Sequence, residues 1–238
     1  MIRSIFVALY LLLFLIISLP LMLVFLLVKL FSKKACDYLS MFWVCKVGLG
    51  IVSHICGIKY NLKGRELIPR DEAVLFIGNH LSILDTIALY PLMVRPTGFI
   101  AKKGLLKIPV VNLLMMFMHC YFLDREDPRD GLKMINKSCD LIKNGTSIVI
   151  FPEGTRSKTG ELLDFKEGSF KIAQKTKCTV VPMKISYDSP VFEDHLPIFK
   201  KTTASITFLE PIKTADWERK EFKQLSEMTR QAILECEQ

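Results

Sequence analysis

A histidine and an aspartate five positions apart, His80 and Asp85, are the side chains of this sequence whose types and spacing best suit proton transfer. One ring nitrogen of a histidine can act as a base near neutral pH, while a carboxylate bonded to the other nitrogen fixes the tautomer. Five positions along one helix rotate the chain by about 140°, so the two side chains cannot meet if both are helical. The spacing therefore predicts His80 in a turn and Asp85 in the first turn of a helix.

The surrounding sequence predicts the elements that would hold this pair in place. The apolar run over 74–77 is typical of a buried strand, and the apolar spacing over 83–89 is typical of a helix. In α/β folds, ligands bind beyond the carboxyl ends of strands, which is where His80 falls. We therefore predict a strand, a short turn that carries the histidine, and a helix.

A purely structural interpretation of the same residues stays open. Ser82 stands three positions before Asp85, which is the spacing of a capping box at a helix start. In that case His80 is an incidental loop residue.

A second group of polar residues also follows an apolar run. The run over 147–150 leads into the sequence FPEGTRS at 151–157. Gly154 allows a backbone to approach a ligand closely, and the guanidinium of Arg156 suits a phosphate group. The alternative is an ordinary charged loop in which Glu153 pairs with Arg156.

Two further cations follow predicted strands. Lys102 comes directly after a strand predicted at 97–101, and Arg125 follows one predicted at 119–123. Such charges are usually only solvated. If the strands are parallel, however, their carboxyl ends share one edge, and an anionic substrate would explain the cations there.

The predicted elements alternate along the chain and indicate the fold class. Strands are predicted at 59–62, 73–78, 97–101, 119–123, 147–151, 179–185 and 204–209. Helices are predicted at 83–93, 109–118, 130–143, 167–176 and 217–235. We therefore expect an α/β fold with a mixed, mainly parallel sheet flanked by helices.

The N-terminal part of the chain has the composition of a membrane anchor. Residues 5–28 contain no charged side chain and would form a helix about 36 Å long, enough to cross a hydrocarbon core of about 30 Å. A signal peptide is the competing interpretation, but the apolar run is long for one and no small-residue cleavage site follows it. A second, less apolar helical stretch at 35–58 could lean back on the first. We predict a membrane-anchoring unit at 1–58 and an α/β domain at 59–238.

Charge and cysteine usage narrow the classes of partner. The chain carries a formal charge of +8, and its first 60 residues hold six Lys and Arg against a single Asp. A basic excess beside an apolar segment favours anionic lipid headgroups, and no pattern typical of nucleic-acid binding is present. Seven scattered cysteines fit reduced thiols on the cytoplasmic side, and no metal-ligand spacing is present. His119, next to Cys120 in a predicted buried strand, is expected to pack in the core.

Four motifs in order resemble those of one family. The sequence NHLSILD at 79–85, FLDR at 122–125, FPEGTRS at 151–157 and VVPM at 180–183 occur in the order seen in glycerolipid acyltransferases. The chain resembles the 1-acylglycerol-3-phosphate acyltransferases most, and the KKGLLKIP stretch at 102–109 looks like a segment of those enzymes. The resemblance covers roughly residues 55 to 210.

The resemblance implies a reaction and the roles of the site residues. His80 would be the general base for an acceptor hydroxyl that attacks an acyl thioester, and Asp85 would orient it. Lys102, Arg125 and Arg156 would bind the phosphate of lysophosphatidate, while Glu153, Gly154 and Thr155 would shape that site. Backbone N–H groups around 78–81 would be candidates for an oxyanion hole.

The same resemblance implies the partners and the location. The donor would be acyl-CoA or acyl-acyl carrier protein, the product would be phosphatidic acid for phospholipid biosynthesis, and no metal or organic cofactor would be needed. The enzyme would act at the cytoplasmic face of the cell (inner) membrane. The alternatives are transfer to another lysolipid, a hydrolase that uses water at the same pair, and a lipid-binding protein without catalysis. The chain lacks the Gly-x-Ser-x-Gly sequence of a serine hydrolase.

Overall fold

The computed structural model describes residues 2–189 and 197–236. Its strands are β1 Ile58–Lys63, β2 Leu75–Gly78, β3 Thr97–Lys102, β4 Tyr121–Leu123, β5 Ser147–Ile150, β6 Val180–Tyr187 and β7 Thr202–Phe208. They form one seven-stranded sheet in the order β1-β7-β6-β2-β5-β3-β4. Every predicted strand is present, with ends shifted by a few residues.

The helices lie before and between these strands. They are α1 Ile2–Phe31, α2 Lys33–Met41, α3 Ile51–Cys56, α4 Leu84–Leu89, α5 Val111–Phe117, α6 Pro128–Lys143, α7 Lys171–Thr176 and α8 Leu225–Glu235. A π-helical segment, Phe42–Gly50, joins α2 to α3 without a break. Single 3-10 turns occupy Arg65–Leu67, Tyr90–Leu92, Lys103–Lys107, Glu167–Phe170 and Glu221–Lys223.

The sheet is mixed and mainly parallel. Strands β6, β2, β5, β3 and β4 run parallel to one another. Strand β7 is antiparallel to β6, and β1 is parallel to β7, so these two strands run in the opposite direction. The predicted fold class is confirmed. The edge where the five parallel strands end is called the carboxyl edge, and the opposite one the amino edge.

Both faces of the sheet are covered, because successive strand residues point to opposite sides. Phe76 belongs to a core cluster with α3 and α4, whereas its neighbours Leu75 and Ile77 belong to a second cluster with α6 and α7. The central strand β2 is buried along its whole length. The turn that carries His80 therefore starts from the buried centre of the sheet.

The N-terminal helices pack against the domain and against each other. Val7 of α1, Cys45 and Val52 join the same core cluster as Phe76 of the sheet. The indole N–H of Trp43 donates to Ser18 Oγ of α1 at 2.8 Å. The second apolar stretch thus leans back on the first, as expected. By length and composition, α1 and the helical stretch Lys33–Cys56 are each able to cross a membrane.

Two predictions from the sequence were wrong in detail. His119 lies outside β4 with φ +57°, and its Nε2 sits 2.9 Å from Asp37 Oδ1 of α2, so it forms a polar pair and does not pack in the core. The last helix begins at Leu225 and not at residue 217. Trp217 closes a turn by donating its N–H to the Thr214 carbonyl and packs edge-to-face on Phe222.

Candidate active site

His80 and Asp85 meet as the spacing predicts. His80 Nδ1 lies 2.7 Å from Asp85 Oδ2, with the aspartate side chain fully buried and the histidine side chain 17% exposed. His80 stands in the turn after β2, and Asp85 is the second residue of α4. No hydrogen bond to His80 Nε2 comes from residues 2–189 or 197–236, so this nitrogen can accept a proton from a substrate.

The Asp85 carboxylate accepts four hydrogen bonds in all. Besides His80, Oδ2 accepts the N–H groups of Leu81 at 2.8 Å and Ser82 at 3.0 Å. Oδ1 accepts the hydroxyl of Tyr187, at the end of β6, at 2.8 Å. These bonds fix the plane of the carboxylate, and hence the orientation of the histidine ring.

Only half of the capping box expected from the Ser82–Asp85 spacing is present. Asp85 accepts the N–H of Ser82, as in such a box, but its own N–H donates to the Ser82 carbonyl and not to the hydroxyl. Ser82 Oγ accepts the N–H of Leu84 at 3.1 Å instead. The Asp85 oxygen that accepts the Ser82 N–H also contacts the His80 ring, so the two arrangements coexist.

The FPEGTRS turn holds His80 from its other side. The rings of His80 and Phe151 stack with centroids 4.4 Å apart and planes 8° from parallel. The His80 N–H donates to Glu153 Oε1 at 2.7 Å, and the His80 carbonyl accepts the N–H of Ser157 at 2.8 Å. Because β2 and β5 are neighbours in the sheet, two turns 73 positions apart form one unit.

Glu153 is a buried support of this unit. Its side chain is 4% exposed, and its second oxygen accepts the N–H of Leu163 at 3.2 Å. Burial raises the pKa of the Glu153 carboxyl, and the N–H groups of His80 and Leu163 act in the opposite direction. With both oxygens bonded to backbone, Glu153 shapes the site from behind.

Gly154 and Lys166 are in close approach within the same turn. Gly154 has φ +69°, and a Cβ added there would lie 2.7 Å from Lys166 Nζ. The Lys166 ammonium therefore lies against the FPEGTRS turn, next to exposed Thr155 and Arg156. Sequence reasoning missed Lys166, since nothing local distinguishes it from other surface lysines.

Comparison with known proteins places this arrangement in a family. A family model described as Acyltransferase matches residues 59–186, which is more than half of the chain. The chain belongs to the acyltransferase family. The matched region contains the His80–Asp85 pair, the FPEGTRS turn and the strands that carry them.

Several similar proteins carry the same enzyme name. The chain is 39% identical over 128 residues to the chloroplast 1-acyl-sn-glycerol-3-phosphate acyltransferase of Arabidopsis thaliana, covering 53% of this chain and 36% of that protein. It is 35% identical over 131 residues to the enzyme of the same name from Borreliella burgdorferi, covering 55% and 52%. For that of Cocos nucifera, identity is 31% over 175 residues, covering 73% and 56%. The match thus spans about a third to just over half of these relatives.

A solved structure matches the whole fold. The crystal structure of the 1-acyl-sn-glycerophosphate acyltransferase PlsC from Thermotoga maritima superposes with a TM-score of 0.69 and 23% identity. The match covers 99% of this chain and 98% of that one. The N-terminal helices are therefore part of the shared fold.

The cations predicted for this acyltransferase lie along the carboxyl edge at different distances from His80. Arg156 follows β5, next to β2, whereas Lys102 ends β3 and Arg125 follows β4. With strands about 4.8 Å apart, the strand of Arg125 lies about 14 Å from that of His80. Asp124 pairs with Lys103 at 3.0 Å and not with Arg125. The structure therefore brings Arg156 close to His80 and leaves Arg125 at the periphery.

Two of the predicted oxyanion donors, the N–H groups of His80 and Leu81, are already engaged in this acyltransferase. The His80 N–H donates to Glu153 and the Leu81 N–H to Asp85. The expectation that these two amides form an oxyanion hole is therefore wrong. They stabilise the two carboxylates that position the base.

Sequence reasoning also missed two residues that hold the site together. Tyr187 reaches Asp85 from 102 positions away. The Asn79 side chain donates to the Ile185 carbonyl and accepts the Ile185 N–H, both at 2.8 Å, which ties the end of β2 to β6. Only Asn79 had a local signal, because it stands next to His80. Among the described residues, no group of three or more His, Cys, Asp or Glu could hold a metal ion.

Proposed function

We propose that this acyltransferase moves an acyl group from a thioester donor to the sn-2 hydroxyl of 1-acylglycerol-3-phosphate, which gives phosphatidic acid. The observation that carries the proposal is the 2.7 Å contact between His80 Nδ1 and a fully buried Asp85 at the carboxyl edge. The activity named for the similar proteins supports lysophosphatidate as the acceptor. Acyl-CoA or acyl-acyl carrier protein is the proposed donor.

The geometry supports direct transfer with His80 as the base. Nε2 removes the proton of the acceptor hydroxyl while its oxygen attacks the thioester carbonyl, and the carbon–sulfur bond then breaks to release the thiolate. The imidazolium forms beside the Asp85 carboxylate, which four hydrogen bonds hold in place. General-base action contributes about 10²–10⁴-fold, so positioning of donor and acceptor must supply the rest.

The acceptor phosphate is assigned to the cations of the carboxyl edge. Arg156 is the main ligand in this proposal because it follows the strand beside β2, and its fork can bind two phosphate oxygens. Lys166, which lies against the same turn, adds a second charge. Lys102 and Arg125 are assigned to the outer part of the site, and Gly154 and Thr155 shape its floor.

Membrane attachment fits the substrates. Lysophosphatidate and phosphatidic acid reside in the bilayer, and we propose that residues 1–58 anchor residues 59–238 to it. Lys29, Lys33 and Lys34 outnumber Arg3, which by the positive-inside rule favours the cytoplasmic face of the inner membrane. A membrane-impermeant thiol reagent should then label Cys236 only after cells are permeabilised, and labelling of intact cells would contradict this orientation.

The test is acyl transfer by the purified full chain with a panel of lysolipids and both donor types. We expect ester formation with lysophosphatidate, and a loss of about 10²–10⁴-fold in turnover for His80→Ala. His54→Ala is the matched control, since His54 is exposed and is not among the hydrogen-bond partners of Asp85. Free fatty acid without ester would support a hydrolase. More than about a tenth of normal turnover in His80→Ala would exclude a general base of the expected strength.

A further inference from the structure

A basic cleft lies at the amino edge of the sheet, opposite the carboxyl edge that carries His80. Its volume is 540 Å³, and it is lined by Tyr38, Arg65, Glu66, Arg70, Val94 and Arg95. We propose that this cleft binds the phosphodiester headgroup of an anionic phospholipid, and that it is separate from the acyl-transfer site.

The cleft is at the amino edge. Arg65 follows the end of β1, which runs opposite to the central strands, while Arg70 and Arg95 precede the starts of β2 and β3. The four residues of β2 separate the two edges by about 13 Å. A headgroup held by these arginines therefore cannot be the acceptor that His80 deprotonates.

The charges of the cleft favour an anion. The cleft lining contains three guanidinium groups and a single carboxylate, that of Glu66. None of the three guanidinium groups forms an ion pair with any residue of the described parts of the chain. Arg65 Nη2 donates to the Leu92 carbonyl at 3.5 Å, and Arg95 Nη1 donates to the Glu72 carbonyl. Backbone carbonyls thus hold two guanidinium groups in place without neutralising them, and forked donors of this kind match phosphate oxygens.

The N-terminal helices bring this edge to a lipid surface. The end of α1 reaches the amino edge. The ring of Phe25 in α1 lies 5.4 Å from that of Phe117, which ends α5 shortly before the start of β4 at this edge. Beyond it, Leu30 and Phe31 are 79% and 90% exposed, and exposed lysines flank them at 29, 33 and 34. Apolar residues of this kind insert into a bilayer while the lysine ammonium groups stay at headgroup level.

Tyr38 lies between the exposed end of α1, at Leu30 and Phe31, and the cleft. It lies on α2, about one turn after Lys34, and contributes its half-exposed ring to the cleft wall. Tyrosine favours the boundary between apolar chains and headgroups. Because α1 exposes apolar side chains from Ile2 to Phe31, it can lie along the bilayer surface, so that the three guanidinium groups meet the lipid phosphates while the carboxyl edge stays near bilayer lysophosphatidate. Net-anionic lipids are favoured because the cleft lining carries more positive than negative charge.

The experiment measures lipid binding by the full chain. The purified protein is held in uncharged detergent micelles and titrated calorimetrically with dihexanoyl phosphatidylglycerol. Dihexanoyl phosphatidylcholine and inorganic phosphate are titrated in parallel. We expect the wild type to bind phosphatidylglycerol. The double variant Arg65→Gln/Arg70→Gln should bind it at least about tenfold more weakly, since each exchange removes a charged donor to the phosphate.

The matched control removes the same charge elsewhere. Lys137 and Lys171 are exposed on α6 and α7. The double variant Lys137→Gln/Lys171→Gln should therefore bind the lipid like the wild type. If the double arginine variant fails to fold, Arg70→Gln alone decides, because this exposed side chain has no bonding partner in the described chain. Equal binding of phosphatidylcholine, equal binding of inorganic phosphate, or unchanged binding by the arginine variants would each overturn the proposal.

Acyl transfer to lysophosphatidate in the same uncharged micelles separates this inference from the proposed function. We expect the arginine variants to keep normal turnover there. A wild type that binds phosphatidylglycerol without acylating lysophosphatidate would refute the proposed function alone. Parallel loss of turnover and lipid binding would instead assign the cleft to the substrate path and overturn its separation from the acyl-transfer site.

Discussion

Removal of the Tyr187 hydroxyl is the sharpest test of how the base is positioned. Tyr187→Phe deletes the 2.8 Å hydrogen bond to Asp85 Oδ1 and leaves the three bonds to Oδ2 in place. A hydrogen bond to a charged group is worth about 1.5–3 kcal/mol, which is an upper limit for the change. The carboxylate is then held only through Oδ2, so its plane and the His80 ring are less firmly oriented.

The expected effect is a lower kcat with little change in KM. A carboxylate held from one side only orients the His80 ring less firmly toward the acceptor hydroxyl, which affects the transition state more than substrate binding. If about half of the lost free energy reaches the transition state, kcat falls by about 4- to 13-fold, at 1.36 kcal/mol per factor of ten. KM for lysophosphatidate should change much less.

The assay is acyl transfer over a range of lysophosphatidate concentrations, with Tyr60→Phe as the matched control. Tyr60 donates to or accepts from Ser53 Oγ at 2.7 Å, in the edge strand β1. This control should leave both kcat and KM in place. A Tyr187→Phe enzyme with unchanged kcat, or one whose loss appears only in KM, would refute the reasoning, because the hydroxyl would then not position the base.

Three further predictions concern the FPEGTRS turn. Glu153→Gln turns one acceptor into a donor that faces a backbone N–H, so we expect a loss of about 1–3 kcal/mol in unfolding free energy and reduced turnover. Thermal melts measure the stability, and the exposed control Glu161→Gln should melt like the wild type. Gly154→Ala strains a backbone with φ +69° and contacts Lys166 Nζ, so its melting temperature should fall below that of Gly160→Ala, which has φ +82° and nothing within 4 Å. Equal melting temperatures would show that the lysine contact costs nothing. Arg156→Gln should raise KM for lysophosphatidate at least about tenfold and leave that for the thioester unchanged; the reverse pattern would assign Arg156 to the donor.

The local part of the site follows from the sequence alone. The apolar run before Gly78, the turn residues and the apolar spacing after Ser82 determine the strand, turn and helix around His80. Each is a short-range preference, so periodicity and spacing suffice. The motifs in order also predicted the family that the match over 59–186 shows.

The sheet order decided what the sequence could not. No local sequence pattern indicates that β5 lies next to β2. The hydrogen bond from the His80 N–H to Glu153 and the stacking of His80 on Phe151 could therefore not be predicted. Conversely, Arg125 looked equivalent to Arg156 in the sequence, but β4 is the outermost strand.

The same division applies to the charges and to the backbone amides. The sequence determined that an aspartate would stand beside His80, because helix geometry fixes where position 85 points. Only the tertiary structure decided that Tyr187 would complete its hydrogen bonds, and that the nearby N–H groups would serve Asp85 and Glu153 instead of an oxyanion. A buried carboxylate takes its partners from whichever strands pack around it, and that packing depends on contacts more than 100 positions apart in the chain.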